Sequence, residues 1–299
     1  MRIGIHTSIA GSIEKSALKA VELGANTFQI FSSSPRQWRA SPLVPSQVAL
    51  FKKAREKHDL YPLVIHDNYL INLASCTEHL REQSAAAFRG EIERALAIGA
   101  EYLVAHPGNC KGHSVEDGMY SVIRSLAEAS RGLDTSKLTV LLENTAGAGA
   151  QLGCRLEELA VMRQFAMEQT GLKIGYCIDT CHCHVSGYGM SADAVPKTVA
   201  EIDRILGLEN VPVIHANDSK TPFGSHLDRH ANIGDGYIGT DGFRAILNHP
   251  KLRDKAFILE TPHDEDEAGK KDVATLKALA PPSGAVLQDR GRRPRRPVR

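Results

Sequence analysis

Residues 102–143 have the sequence YLVAHPGNCKGHSVEDGMYSVIRSLAEASRGLDTSKLTVLLE, in which two apolar runs flank one amphipathic segment. The runs Tyr102–Ala105 and Leu138–Leu142 show little polar alternation, which is typical of strands buried on both faces of a parallel sheet. Between them, Ser114 and Asp117 have the spacing of a helix capping pair, and apolar residues then recur at helical intervals. The segment therefore predicts a strand–helix–strand unit with parallel strands.

The same unit repeats along most of the chain. Amphipathic segments that end at a glycine lie between the runs, for example Thr77–Ile98 before Gly99 and the segment from Ser191 to Gly207. The apolar runs are Ile3–His6, Thr27–Phe31, Pro62–Ile65, Tyr102–Ala105, Leu138–Leu142, Ile174–Ile178, Pro212–Ile214 and Ala256–Leu259. Eight strands and eight helical segments over residues 1–280 predict an α/β fold, a single (β/α)8 TIM barrel, with a doubly wound sheet as the alternative.

Residues 281–299 differ in composition from the rest of the chain. They hold six Arg and one Asp, a net charge of +5, so that residues 1–280 carry −4 within the formal total of +1. Because they are rich in proline and lack an apolar period, they predict a disordered tail. Three roles stay open for this tail: a nonspecific DNA-binding arm, a localisation signal, or a solubilising extension.

The composition excludes membrane-spanning and disulfide-rich classes of protein. The chain has 299 residues, of which 42% are apolar, and no apolar run approaches the ~20 residues that span a bilayer. It begins directly with a predicted strand and shows no signal-peptide core. Six cysteines in a chain of this length form no disulfide framework and predict reduced thiols. We therefore expect a cytoplasmic protein, associated with the nucleoid if the host is bacterial, with no membrane partner.

A polar residue of a metal-binding type follows each of the last six predicted strands. The carboxyl ends of barrel strands meet at one face, where the active sites of this fold lie, so these side chains are expected to converge there. Three carboxylates and three imidazoles in one cavity would repel one another or take up protons unless bound cations balanced them. The six residues are His66, His106, Glu143, Asp179, His215 and Glu260.

Three further residues extend this set to nine candidate ligands. His182 lies three residues after Asp179. Asp228 and His230 are two residues apart, so in an extended loop their side chains point the same way. Since one tetrahedral ion takes about four ligands, nine ligands predict two or three metal ions.

Other residues near this set are weaker candidates. A thiolate zinc site would need a second cysteine pair, which the motif from Cys177 to Cys183 lacks, and Cys177 itself lies within a strand and is expected in the core. His184 is a second choice to His182 as a ligand. His6, at the end of the first strand, is expected to contact a ligand rather than an ion.

These residues lie in segments that resemble the endonuclease IV family of zinc-dependent abasic-site nucleases. The segments occur in the family's order from residue 3 to about residue 280, and CIDTCH and DRHxNIGDGxIG are specific motifs. They are FSSSPRQWRA (31–40), HDNYLINL (66–73), AHPG (105–108), LENTAG (142–147), CIDTCH (177–182), HANDS (215–219), FGSHLDRHANIGDGYIG (223–239) and LETP (259–262).

The resemblance implies a barrel with three zinc ions that hydrolyses the phosphodiester 5′ to an abasic site. The products would be a 3′-hydroxyl and a 5′-deoxyribose phosphate, and 3′-blocking groups would also be removed. The ligand sets that it implies are His66, His106 and Glu143 for the first ion, Glu143, Asp179, His215 and Glu260 for the second, and His182, Asp228 and His230 for the third. Glu143 would bridge two ions and is the expected catalytic residue.

The resemblance further implies double-stranded DNA containing abasic sites as the partner of a monomeric enzyme. Arg36, Tyr69 and Leu70 would enter the duplex and fill the gap left by the flipped-out abasic nucleotide. Trp38, in the same loop as Arg36, is expected to pack that loop on the barrel. The alternatives are a metal-dependent sugar isomerase of the related barrel group and a catalytically inactive DNA-binding barrel.

Overall fold

Eight parallel strands close into a barrel in a computed structural model that describes residues 1–262 and 266–282. The strands of these residues are β1 (Arg2–His6), β2 (Thr27–Phe31), β3 (Leu63–His66), β4 (Tyr102–Ala105), β5 (Thr139–Glu143), β6 (Lys173–Asp179), β7 (Val213–His215), β8 (Asp218–Ser219), β9 (His230–Ala231) and β10 (Ala256–Leu259). The barrel order is β1-β10-β7-β6-β5-β4-β3-β2, and β8 and β9 form a separate antiparallel pair. The predicted TIM barrel is confirmed, and the doubly wound alternative is wrong.

Helices cover the outside of the barrel. In the described part of the chain they are α1 (Ile13–Glu22), α2 (Pro45–Lys57), α3 (Glu78–Ile98), α4 (Val115–Ser130), α5 (Leu156–Thr170), α6 (Thr180–Ser186), α7 (Val195–Leu206), α8 (Gly239–Asn248) and α9 (Asp266–Leu279). The sequence predicts one fewer, because α6 has only seven residues and shows no apolar period. It follows β6 without a loop and begins where the carboxylate of Asp179 accepts a hydrogen bond of 2.7 Å from the backbone N–H of His182.

The predicted helix ends agree with the structure. Ser114 and Asp117 form a reciprocal capping box at the start of α4. Gly99 ends α3 in the left-handed conformation with φ 76°, which glycine adopts without a steric penalty. These signals fix the start of α4, where the loop after β4 ends, and the end of α3.

The barrel interior explains why the strand-end residues converge. Six strands each contribute one buried residue to a single cluster: Val64, Val104, Leu141, Cys177, Val213 and Ile258. Because side chains alternate along a strand, the residue two positions further on points to the same interior. In all six strands that residue is a candidate ligand, from His66 in β3 to Glu260 after β10. The cluster is thus the floor of the cavity in which these ligands meet, and Cys177 is a core residue.

Apart from residues 281 and 282, the predicted tail of residues 281–299 lies outside the described residues. Among the described residues, no helix is both long enough and apolar enough to cross a bilayer.

Candidate metal centre

The nine candidate ligands lie in three clusters at the mouth of the barrel. Within each cluster the possible ligand atoms all lie within 4.8 Å of one another. The clusters are His66, His106 and Glu143; Glu143, Asp179, His215 and Glu260; and His182, Asp228 and His230. The structure therefore brings together every residue of the predicted set, in the grouping implied by the family resemblance.

Glu143 joins the first two clusters through its two carboxylate oxygens. Oε2 lies 3.3 Å from Nε2 of His66 and 3.2 Å from Nε2 of His106, yet this buried oxygen makes no hydrogen bond to any residue that the structure describes. Oε1 faces the other way and lies 3.0 Å from Nδ1 of His215. A carboxylate with two oxygens in two ligand sets can bridge two ions.

The third cluster is built outside the barrel strands. The antiparallel pair of β8 and β9 places Asp228 and His230 opposite α6. The two oxygens of Asp228 lie 3.1 Å from Nε2 of His182 and 3.2 Å from Nε2 of His230. Both nitrogens are buried and lack a hydrogen-bond partner within residues 1–262 and 266–282. Hydrogen bonding therefore does not account for the convergence of these three side chains.

These spacings fit a small divalent cation. Tetrahedral ligands about 2.0–2.1 Å from an ion are about 3.3 Å from one another. The four contacts of Glu143 and Asp228 with imidazole Nε2 atoms are between 3.1 and 3.3 Å. Imidazole nitrogens and carboxylate oxygens are also the donors that transition metals prefer. The donor set and its spacing thus both match a metal centre.

Hydrogen bonds to backbone carbonyls determine which ring nitrogen of His66 and of His182 faces the ligand clusters. Nδ1 of His66 lies 2.9 Å from the carbonyl oxygen of Asp67, and Nδ1 of His182 lies 2.9 Å from that of Asn144. A carbonyl oxygen can only accept, so each Nδ1 carries the proton. Nε2 is then left with a lone pair for a metal ion, as in other metal-binding histidines.

Two asparagines that the sequence analysis did not single out hold Asp179, one at its carboxylate and one at its backbone N–H. Asn217 donates from Nδ2 to Oδ2 of Asp179 at 2.6 Å, and its own Oδ1 accepts from the N–H of Glu260 at 2.8 Å. Oδ1 of Asn144 accepts from the N–H of Asp179 at 2.7 Å. Each asparagine follows a ligand closely in sequence, in LENT and HAN, and this proximity is the signal that could have identified them.

The clusters balance negative and positive charge internally. Burial acts to raise the pKa of the Glu143 carboxyl, but the imidazoles of His215 and His106 outweigh it and hold this pKa well below its usual range. Burial acts to lower the pKa of His230, but the charge of Asp179 and the contact with Asp228 raise it to about 9. Protons thus supply the positive charge that metal ions would supply on binding, so metal binding is expected to release protons.

Two thiols lie close to the ligands, because Cys177 and Cys181 each share a cluster of possible ligand atoms with two of the nine residues. Burial raises the pKa of the Cys177 thiol well above its usual range and that of Cys181 to about 12, which disfavours the thiolate form that binds metal. His184 belongs to none of the clusters found among the described residues, and its ring packs 5.7 Å from that of Phe223. His6 approaches the ligand Glu260, with Nδ1 3.9 Å from Oε1.

The predicted DNA-contacting residues lie on two loops beside the centre. Tyr69 is 67% exposed, and it borders a cavity of about 600 Å³ that six of the nine ligands also line. The N–H of Tyr69 donates to the carbonyl of Pro35 at 3.1 Å, which ties the loop after β3 to the loop that carries Arg36. Arg36 is exposed, and Leu70 is half-buried. Neither of these two is among the residues that line the cavity.

Two basic residues at the cavity were missed by the sequence analysis. Lys220 and Arg229 both line it, and their backbones pair where the N–H of Lys220 donates to the carbonyl of Arg229 at 2.8 Å. Each is the direct sequence neighbour of a conspicuous motif residue, Ser219 or Asp228. They place two positive charges beside the ligands, where an anionic substrate would enter.

Comparison with known proteins gives these features a family context. A family model described as a xylose isomerase-like TIM barrel matches residues 17–279. The probable endonuclease 4 of Solibacter usitatus is 55% identical over 281 residues, covering 94% of this chain and 97% of that protein. The crystal structure of endonuclease IV from Thermus thermophilus matches with a TM-score of 0.82 and 38% identity, over 93% of this chain and 98% of that chain.

A more distant structure bears on the sugar-isomerase alternative. A D-tagatose 3-epimerase-like protein matches with a TM-score of 0.69 over 93% of this chain and 97% of that chain, but at only 20% identity. This likeness shows a shared fold and nothing more, so it does not favour sugar chemistry for this chain.

Proposed function

This chain belongs to the endonuclease IV family and is a DNA repair endonuclease, and we propose that it hydrolyses the phosphodiester 5′ to abasic sites with three bound zinc ions. The products would be a 3′-hydroxyl and a 5′-deoxyribose phosphate, and the same centre would remove 3′-blocking groups. The observation that carries this proposal is the overlap of two ligand clusters at Glu143, next to a third cluster. Overlapping clusters suit phosphoryl chemistry, in which several cations share the charge of one phosphate.

The donor set supports zinc as the metal. Every one of the nine ligands offers an imidazole nitrogen or a carboxylate oxygen, and zinc binds both types in tetrahedral sites. The first ion would be held at Glu143 with two histidines, the second between Glu143 and Glu260, and the third at Asp228. When bound, zinc supplies Lewis acidity: it polarises phosphoryl oxygens and makes water acidic enough to react at neutral pH.

Residues of the chain hold the metal ligands in a fixed orientation before the substrate binds. Glu143 is the proposed catalytic residue, because its side chain is fully buried and its two oxygens face different ligand sets. Asn144 and Asn217 hold Asp179, and backbone carbonyls hold the imidazoles of His66 and His182. Such outer hydrogen bonds keep the ligands in one geometry, so little reorganisation accompanies the reaction.

DNA binding is proposed to combine a wedge with basic contacts at the mouth. Tyr69 presents an exposed ring that packs 5.1 Å from Phe31, so the ring is supported from below while its outer face is free to stack. Arg36 and Leu70 would act beside it. An abasic nucleotide is the easiest to extrude because it has no base to unstack, which makes a wedge selective for damage. Lys220 and Arg229 would attract the backbone phosphates.

The remaining parts of the proposal concern organisation and location. Residues 1–280 are proposed to form the catalytic domain, and the Arg-rich residues 281–299 a disordered tail. The enzyme is proposed to act as a monomer in the cytoplasm, at the nucleoid if the host is bacterial. Gel filtration at catalytic concentrations tests whether it is a monomer.

The direct test is incision of a duplex with one tetrahydrofuran abasic analogue. This analogue cannot undergo β-elimination, so cleavage reports hydrolysis. We expect a single cut 5′ to the lesion, a product whose 3′ end a polymerase extends, loss of activity with a zinc chelator and recovery when zinc is restored. The same duplex without a lesion serves as the control. A cut on the 3′ side, or full activity after chelation and removal of all metal, would contradict the proposal.

A further inference from the structure

We propose that Gln29 is a positioning residue for the second metal ion, because it holds His215 and Glu260 together and fixes which ring nitrogen of His215 faces the metal. The inference rests on the proposed function, since it concerns a cluster that is expected to bind zinc. Gln29 is not one of the nine predicted ligands.

Gln29 is a polar exception in a buried strand. β2 has the sequence TFQIF, and Gln29 is fully buried at its centre. A buried amide without partners costs about 1–3 kcal/mol, so its bonding partners are expected to be specific. The parallel register places Gln29 beside His6 of β1 and Val64 of β3, at the level just below the ligands.

The amide of Gln29 reaches two ligands of the second cluster. Its Nε2 lies 2.6 Å from Oε1 of Glu260, and its Oε1 lies 2.8 Å from Nε2 of His215. The same Nε2 lies 3.0 Å from Nδ1 of His6, which can accept the second N–H of the amide. Gln29 lies on β2, which carries none of the nine candidate ligands. Its side chain therefore links His215 of β7 to Glu260, which follows β10.

These contacts determine the orientation of the amide and then that of the imidazole. If the amide were turned around, its oxygen would face the carboxylate of Glu260 at 2.6 Å, and two acceptors would repel each other. The nitrogen must therefore face Glu260, and the oxygen must face His215. Because that oxygen can only accept, the ring of His215 must donate from Nε2.

The proton on Nε2 leaves the other ring nitrogen for the metal. An imidazole that binds a metal ion has one proton, so Nδ1 of His215 then carries the lone pair. This Nδ1 lies 3.0 Å from Oε1 of Glu143 and 3.2 Å from Oε2 of Glu260. These spacings are close to the tetrahedral value of about 3.3 Å. The carboxylate of Glu260 thus sets the tautomer of His215 through Gln29.

The test compares Gln29→Leu and Gln29→Met with a control in the same strand. Leucine keeps most of the volume of glutamine, and methionine keeps its length and unbranched shape, but neither side chain can hold Glu260 or orient the ring of His215. The control is Thr27→Val, which removes the hydrogen bond of 2.6 Å from Thr27 to the carbonyl of Pro62. Each zinc-loaded protein is titrated with a chelator while zinc release is followed. Nitrogen-15 NMR of the histidine rings reports whether the slowly exchanging Nε2 proton of His215 is present.

We expect Gln29→Leu to bind one of its zinc ions about 10–100-fold more weakly, as is typical when an outer partner of a ligand is removed. The His215 Nε2 proton should exchange rapidly in Gln29→Leu and Gln29→Met and stay protected in Thr27→Val. Unchanged zinc release and an unchanged proton signal in folded Gln29→Leu would overturn the inference. If Gln29→Leu fails to fold, the same two results in folded Gln29→Met would overturn it instead. Absence of zinc from the wild-type cluster would instead refute the proposed function.

Discussion

The carboxylate of Asp228 lies 3.1 Å from Nε2 of His182, and this contact joins the hairpin of β8 and β9 to helix α6. His230, the other partner of Asp228, belongs to the same hairpin. The other two ligand clusters instead stand on the strands of the barrel and share Glu143. Among the described residues, the ion pairs of Asp228 are confined to the third cluster, so replacing Asp228 leaves the ligands on the barrel strands unchanged.

Replacing Asp228 by asparagine should remove one ion and leave two. The variant loses one negative charge from the third cluster only, so we expect about two zinc ions per chain by elemental analysis and a cooperative unfolding transition near that of the wild type. Incision should fall by more than about 100-fold, since even outer partners of metal ligands are worth 10–100-fold. Asp235→Asn, an exposed residue of the next loop, is the control. Three ions in the Asp228 variant would speak against this ligand assignment.

Replacing Tyr69 by alanine should impair damage recognition without loss of metal. Stacking on an aromatic ring is worth ~1–3 kcal/mol, so binding of an abasic duplex should weaken by that amount, with less effect on intact duplex. Binding is measured by fluorescence anisotropy with labelled duplexes, and zinc content by elemental analysis. Tyr69→Phe keeps the ring and should behave like the wild type. Equal weakening on both duplexes would refute the role of Tyr69 as a damage wedge.

The buried thiols should resist alkylation at mildly alkaline pH. Burial, together with the charge of Asp179, raises the pKa of Cys181 to about 12, so the group stays protonated until the pH approaches that value. We expect iodoacetamide at pH 8 to leave Cys177, Cys181 and Cys183 unmodified, both before and after chelation. Unfolded protein, in which all six cysteines react, is the control. Rapid labelling of these thiols on removal of zinc, in protein that is still folded, would show that they are metal ligands.

The loop after β9 should tolerate no side chain at Gly236. Asp218 is fully buried and accepts hydrogen bonds from four backbone N–H groups of this loop, at 2.9–3.2 Å. A Cβ at Gly236 would lie 2.4 Å from Oδ1 of Asp218. Gly236→Ala should therefore lower the free energy of unfolding by about 3 kcal/mol.

A second glycine supplies the matched control for that variant. Gly90 lies inside α3, and a Cβ there would meet no atom within 4 Å. Gly90→Ala should raise the free energy of unfolding by about 0.5–1 kcal/mol, because alanine loses less backbone entropy in a helix. Both changes are measured by urea denaturation. If the two variants have equal stability, the packing of Asp218 against Gly236 does not constrain the loop.

The fold was predictable because its signals are local. Most barrel strands contain a run of apolar residues, and helix ends such as Gly99 and the Ser114–Asp117 pair depend on a few neighbouring residues. Helix α6 escaped prediction because two turns are too short to show a period, and its start depends on the carboxylate of Asp179. The pair of β8 and β9 escaped because two-residue strands have no alternation to detect.

The metal ligands that end a strand could be predicted from the sequence. Residues that act by holding another side chain were harder to predict. His66 and Glu143 follow from barrel topology, since the strand ends meet at one face. Gln29 could not be assigned a role, because its partners lie 186 and 231 residues away in sequence and no local pattern connects them. The basic residues Lys220 and Arg229 were equally hidden, since sequence does not show which surface charges border the cavity.

The most direct test of the central claim is an anomalous difference map at the zinc absorption edge, from crystals of the purified protein. We predict three peaks at the barrel mouth, two on either side of the Glu143 carboxylate and one between Asp228 and His182. A fully active protein whose map has no peak among these residues, or a single one, would contradict the account.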